Sequence, residues 1–284
     1  MKMHIGGLVL DQWKVAYIIT PKAMCTSMLW MMAGLQNEDL AHDVIGSRTA
    51  EVTRALAVHD QALWRHRLLS ELPTRIVDRV VNEEGWFRFA LTRHPVDRLW
   101  SAWQSKLLLR EPESAPDWVA EPWFPRIPNN LLEGAAGLDA IVEDFAHFVD
   151  ALAADQQLLI ANQHWAPQSY LLQPEDFPYS EIGRVESVAG TLGRLEEHLR
   201  GQGWRGAFEL KRFNVTLLPR TVIRDVTLLR QIEEIYAEDM TAFGYRPATV
   251  GDQPSAYATA VAVHAIAELV ARHERIGDIH RLLK

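Results

Sequence analysis

One cysteine, Cys25, serves the whole of this 284-residue sequence. A lone thiol excludes an intrachain disulfide framework and a zinc site built on several cysteines, and it fits a reducing compartment. No histidine and cysteine cluster has metal-ligand spacing, so no metal is expected. Long apolar runs are missing too: none approaches the roughly 20 residues that cross a bilayer. The N-terminal Met1 to Asp11 reaches a charge before it can form the apolar centre of a secretory leader. The expectation is a cytoplasmic protein with no membrane partner. Net positive charge is also absent. A formal charge of −8 argues against general binding to nucleic acid, so any anion site must be local. Neither the glycines of a Gly-x-x-x-x-Gly-Lys-Ser/Thr loop nor a protein-kinase signature set occurs, which disfavours ordinary nucleoside triphosphate chemistry.

What remains is a chain 48% hydrophobic and 23% charged, able to bury a sizeable core. It shows no internal repeat and no long low-complexity linker. We expect one domain over residues 1–250 and a helical extension over 251–284, packed on that domain or on a partner subunit, which leaves a homodimer open. Short β-type runs alternate with helical ones, predicting an α/β fold with a central parallel sheet between layers of helices. The β-type runs are Val15 to Thr20, Trp86 to Thr92, Tyr179 to Glu186 and Phe208 to Thr216. Helices are predicted from Ser27 to Gln36, in two or three pieces between Arg48 and Asn82, from Pro95 onward, and over Leu138 to Leu152, Val188 to Arg200, Val226 to Phe243 and Ser255 to Leu283. On the last of these, Val261, Ala265, Leu269 and Val270 read as the apolar stripe. The segment Arg110 to Asn130 is rich in proline with Trp118, Trp123 and Phe124 interleaved. It reads either as a loop pinned down by its rings or as a wall of an acceptor site.

Two places carry chemistry. Between the run ending at Thr20 and the helix starting near Thr26 lies a short turn with Pro21 and Lys22, the layout of an anion-binding loop. There successive backbone N–H groups and the positive helix end converge, and Lys22 adds a mobile charge. Arg93-His-Pro-Val-Asp-Arg-Leu-Trp-Ser repeats the strand, polar turn and helix. Arg93 leaves the strand end and Ser101 stands about two turns into the helix, where a guanidinium fork and a hydroxyl suit a second phosphate. Two such loops predict a ligand with phosphate at both ends.

The chain resembles the carbohydrate-type sulfotransferase family, whose members share a P-loop-like three-layer fold. Thr20-Pro-Lys-Ala-Met-Cys-Thr-Ser resembles the family's 5′-phosphosulfate loop. Phe89 to Lys106, containing Thr-Arg-His-Pro-Val-Asp-Arg-Leu-Trp-Ser, resembles its 3′-phosphate loop. The likeness continues through His164-Trp-Ala-Pro-Gln, Gly183-Arg-Val-Glu, Asn214-Val-Thr and the Tyr236 to Tyr245 helix end. The resemblance implies transfer of a sulfonate group from 3′-phosphoadenosine 5′-phosphosulfate to a hydroxyl of a carbohydrate or other small molecule. It implies that Pro21, Lys22, Ala23, Met24, Cys25, Thr26 and Ser27 cradle the 5′-phosphosulfate and that Arg93 and Ser101 take the 3′-phosphate. Arg212 and Asn214 are candidates near the 3′ side, with an exposed edge strand as their plainer reading. Met24 stands where relatives often carry a small residue.

The chemistry needs a cation on the leaving oxygen, for which Lys22 is the candidate, and a base for the acceptor proton. His59 and His164 both qualify, and the choice stays open. His94 reads as a loop-orienting residue, and Arg184 with Glu186 as a buried ion pair holding the site, with contact from Arg184 to ligand as the alternative. Competing readings are a catalytically silent nucleotide-binding or scaffold protein of the same fold, and a small-molecule kinase with a divergent loop.

Overall fold

The computed structural model describes residues 6–36, 58–59, 68–111, 118–126, 135–207, 210 and 216–283. In chain order its main elements are β1 (Gly7–Leu10), β2 (Val15–Ile18), α1 (Cys25–Leu35), α2 (Thr74–Asn82), β3 (Phe87–Thr92), α3 (Pro95–Trp103), α4 (Ala135–Ala154), α5 (Gln156–Ile160), α6 (Gln168–Leu172), β4 (Glu181–Arg184), α7 (Val188–Gly201), α8 (Val226–Ile235), α9 (Ala237–Ala242) and α10 (Ala256–Leu283). Backbone proximity divides them into two units. Unit 1 is Met1–Arg93 with Gln168–Val215, and unit 2 is His94–Pro167 with Thr216–Lys284.

Unit 1 holds a four-stranded sheet in the order β1-β2-β3-β4. β2, β3 and β4 run parallel, with Val15 opposite Phe87 and Phe89 opposite Glu181. This is the expected α/β architecture, a mostly parallel sheet flanked by helices. Every residue of β2, Val-Ala-Tyr-Ile, is buried, as continuous apolar runs are when both faces of a parallel strand are covered. Its core joins Leu8, Tyr17 and Phe89 of the sheet to Met28 and Met32 of α1 and Leu195 and Leu199 of α7. β1 is a correction to the sequence reading, which placed no strand before Val15. It pairs antiparallel with β2, Gly7 opposite Ile18, across a tight turn that ends on Lys14 at φ +48. Four residues give a strand too short to show periodicity, and Lys14 takes a left-handed conformation that Gly or Asn normally announces.

β4 lies close under α7, and Gly183 is where they touch. A Cβ there would come within 2.1 Å of Thr191 Oγ1 and 3.1 Å of Leu91 Cδ2. Thr191 cannot yield cheaply, because its hydroxyl donates to Glu181 Oε1 at 2.5 Å. Arg194 also binds that carboxylate and, by hydrogen bonding, holds its pKa below the usual carboxylate range. We therefore expect Gly183→Ala to cost about 1–3 kcal/mol of stability, as overpacking does. Thr191→Ala in the same chain should restore part of it. A urea midpoint for Gly183→Ala equal to that of the parent would refute the contact. The predicted buried pair Arg184 and Glu186 is corrected here: both side chains are exposed, and the half-buried carboxylate of this strand is Glu181.

Unit 2 is helical. Its core packs Trp100 and Trp103 of α3 against Phe145 and Phe148 of α4, with Leu229 and Ile232 of α8 and Val263 and Ile266 of α10. Past Trp103 the helix continues as a π-helical turn over Gln104–Leu108. The aromatic segment is pinned by its rings: Trp118 meets Trp165 edge-on at 5.9 Å, Trp123 meets Phe148 at 5.2 Å, and Phe124 is buried. The helix predicted from Val226 to Phe243 is broken at Tyr236, whose φ of −107 leaves the helical region while its buried phenol donates to the Trp165 carbonyl at 2.6 Å. The stripe predicted on α10 is met in part: Val270 packs against the core, with Ala265 and Leu269 half-buried. Val261 is exposed and Val263 and Ile266 are buried, because alanines on every side of this helix leave its apolar face ambiguous.

Candidate functional site

In unit 1 the sheet delivers two chain ends to one place. β2 stops at Ile18, the chain turns through Thr20 to Met24, and α1 begins at Cys25. Two residues of this turn take the left-handed conformation, Lys22 at φ +67 and Met24 at φ +60. Each costs about 1–2 kcal/mol for a residue with a Cβ, and strain of that kind clusters at ligand-binding loops. Met24 is also the N-cap of α1. Its thioether has no oxygen to accept from the first turn, so Cys25, Thr26 and Ser27 present their N–H groups at the positive end of the helix without a capping side chain. Thr20 is fully buried and its hydroxyl has no hydrogen-bond partner among the described residues. A strained turn, an uncapped helix end, an orphaned hydroxyl and a lysine together fit an anionic group.

Two further predicted residues meet this loop. His59 Nε2 lies 2.8 Å from Thr26 Oγ1. If Nε2 donates, the neutral ring carries its lone pair on Nδ1, where it can accept a proton. Arg93, one residue beyond β3, reaches back so that Nη1 donates to the Lys22 carbonyl at 3.4 Å. The guanidinium therefore belongs to the same cluster as the lysine loop.

The Arg93 backbone is held by a residue to which sequence reading assigned no role. Gln168, fully buried, accepts from the Arg93 N–H through Oε1 and donates to the Arg93 carbonyl through Nε2, each at 2.9 Å.

Unit 2 carries the other candidates. His94 caps α3: its Nδ1 accepts from the Val96 N–H at 3.3 Å, and its Nε2 donates to the Arg246 carbonyl at 2.9 Å. That matches its predicted orienting role. Ser101 is half-buried, and Thr216 Oγ1 donates to its hydroxyl at 3.4 Å. Thr216 closes the Asn214-Val-Thr motif, in which sequence reading gives it no role of its own. The segment bearing it is fixed by Gln104, which accepts from Leu218 N–H and donates to its carbonyl, both at 3.0 Å.

His164 sits in the turn between α5 and α6. Asn162 Oδ1 accepts from both the His164 N–H at 2.9 Å and its Nδ1 at 2.7 Å, which places the lone pair of the neutral ring on Nε2. The turn itself is gripped from behind. Buried Arg98 donates to the carbonyls of Ala166 at 2.7 Å and Gln163 at 2.9 Å, and Tyr236 holds that of Trp165. Burial pushes the Tyr236 phenol well up; Arg98 beside it pulls the other way and Asp239 adds to the rise. Arg212 and Asn214 lie outside the described residues. Among the described residues no helix is long and apolar enough to cross a membrane.

Comparison with known proteins agrees with the geometry. The chain is similar to carbohydrate sulfotransferase 14 of Mus musculus, 23% identical over 238 residues that cover 77% of this chain and 56% of that protein. It thus spans little more than half the length of that curated relative. No solved structure matches. A profile of the sulfotransferase family matches residues 8–246, most of the chain and both candidate loops, and the chain belongs to that family.

Proposed function

We propose that this chain transfers a sulfonate group from 3′-phosphoadenosine 5′-phosphosulfate to a hydroxyl of a carbohydrate or other small molecule, in the cytoplasm. The supporting observation is the cluster in unit 1, where the strained Lys22 loop, the uncapped start of α1, His59 and Arg93 meet. Family membership supplies the donor, and the orphaned Thr20 hydroxyl and uncapped N–H groups fit its 5′ anion. The donor would supply the sulfonate electrophile and a phosphate leaving group.

In this reading the residues Pro21 to Ser27 bind the 5′-phosphosulfate, and Arg93 and Ser101 bind the 3′-phosphate. His59 takes the acceptor's proton as the new sulfur–oxygen bond forms. Lys22 stabilises the charge that grows on the bridging oxygen as the old bond breaks, leaving adenosine 3′,5′-bisphosphate. We assign the base to His59 because it touches the loop through Thr26; His164 is held within its own turn by Asn162.

The test is transfer of radiosulfur from labelled donor to a panel of sugars and hydroxylated metabolites. His59→Ala should lower turnover about 10²-fold or more with donor binding intact, the usual size of a lost proton acceptor. His164→Ala should leave turnover within about threefold. The reverse pattern moves the base to His164. Binding of adenosine 3′,5′-bisphosphate with no transfer to any acceptor would favour the silent nucleotide-binding protein. Magnesium-dependent binding of adenosine triphosphate in its place would favour the kinase.

A further inference from the structure

The two bonds between Gln168 and Arg93 form a recognisable unit. Facing residues of an antiparallel ladder exchange one N–H and one carbonyl each. Here a side-chain amide imitates that peptide partner and supplies both bonds to Arg93 at the point where β3 has ended. The position matters as much as the bonds. Arg93 is the last residue before the chain leaves unit 1, and Gln168 is the first after it returns. Gln168 opens α6 directly behind Pro167, whose own φ is fixed by its ring, and Ser169 beside it is buried as well. A residue leaving a strand end next to a polar turn would otherwise be free to rotate about its own φ and ψ. Locking both its N–H and its carbonyl fixes the direction in which the side chain departs, and Nη1 ends on the Lys22 carbonyl.

We propose that Gln168 is a positioning residue for the 3′-phosphate half of the donor site: it sets the exit of Arg93, and the preference for a 3′-phosphorylated nucleotide depends on it. The inference rests on the reading that Arg93 takes the 3′-phosphate. An apolar residue of similar volume would fill the space and leave the Arg93 peptide unit without its two partners. The loss would then appear only where Arg93 acts.

The experiment compares adenosine 3′,5′-bisphosphate with adenosine 5′-phosphate by titration calorimetry on the full chain, with melting curves alongside. The parent should prefer the bisphosphate by about 100-fold, the scale of a bidentate charge-assisted contact. Gln168→Met should cut that preference about tenfold while changing affinity for the 5′-phosphate by less than about twofold. Gln168→Glu keeps the acceptor for Arg93 N–H and loses the donor. It should fall between parent and Gln168→Met, and it decides the matter if the methionine variant does not fold. Arg93→Ala should remove most of the preference, leaving only the share that Ser101 supplies, and adding Gln168→Met to it should cost nothing more, since residues that act through one another are not additive. An unchanged preference in Gln168→Met and Gln168→Glu overturns the proposal, as does equal weakening of both ligands. A parent that binds the two nucleotides equally overturns the 3′-phosphate reading of Arg93 itself, a different result from a preference that survives loss of Gln168.

Discussion

Lys22→Ala is expected to lower turnover about 10²- to 10³-fold, the measured scale for removing one preorganised donor from a developing oxyanion. Donor affinity should fall by much less. The reason for the split is that in the proposed mechanism the ammonium meets its largest charge when the bond to the bridging oxygen is breaking, so its contribution would be greater in the transition state than in the bound ground state. Backbone effects can be separated from charge at this position. Alanine takes the left-handed conformation at φ +67 at the same cost as lysine, whereas glycine relieves that cost. Lys22→Gly should therefore melt no lower than Lys22→Ala and turn over no faster. The contact from Arg93 goes to the carbonyl of residue 22 and survives either change. Single-turnover rates with saturating donor are the measurement. A rate loss in Lys22→Ala recovered by raising donor concentration would assign Lys22 to ground-state binding only.

That prediction starts from features readable in the sequence, and the contrast with those that were not is physical. The two candidate anion loops are punctuated locally. Pro21 breaks one apolar run, Pro95 starts a helix at the position that needs no N–H, and Arg93 and Lys22 stand at the turns. Reading along the chain finds such features because cause and effect lie within a few residues. The left-handed Lys22 and Met24 were hidden for the opposite reason: the usual announcement is glycine, and here the conformation is imposed by the loop against side-chain preference. Gln168 was equally hidden. Its partner lies 75 residues away, and nothing in His-Trp-Ala-Pro-Gln says that its last amide will act as a peptide. β1 was missed and the stripe of α10 met only in part for want of pattern, one being too short and the other too rich in alanine. The family likeness reached the motif around His164 without saying what holds it, and that question leads to a second large effect.

Arg98→Met should cost about 3–5 kcal/mol of stability, the range for removing one partner from a buried charged network. Arg98 is almost fully buried in α3 and donates to the carbonyls of Gln163 and Ala166. Methionine fills a similar volume, so little of the loss would come from a cavity. Two carbonyls without donors account for about 1–3 kcal/mol each where they are cut off from water. Arg98→Lys should recover less than half of the loss. A single ammonium keeps the charge but lacks the planar fork that serves two carbonyls in different directions. Tyr236→Phe removes the third grip on the same turn, the bond to Trp165, and should cost about 1–2 kcal/mol. Because the two variants share one turn, their double variant should lose less than the sum. Urea unfolding followed by tryptophan fluorescence measures all four, with Trp165 itself inside the affected turn. A loss below about 1 kcal/mol in Arg98→Met would mean that water reaches those carbonyls, and the turn bearing His164 would then be held by Asn162 and its own backbone instead.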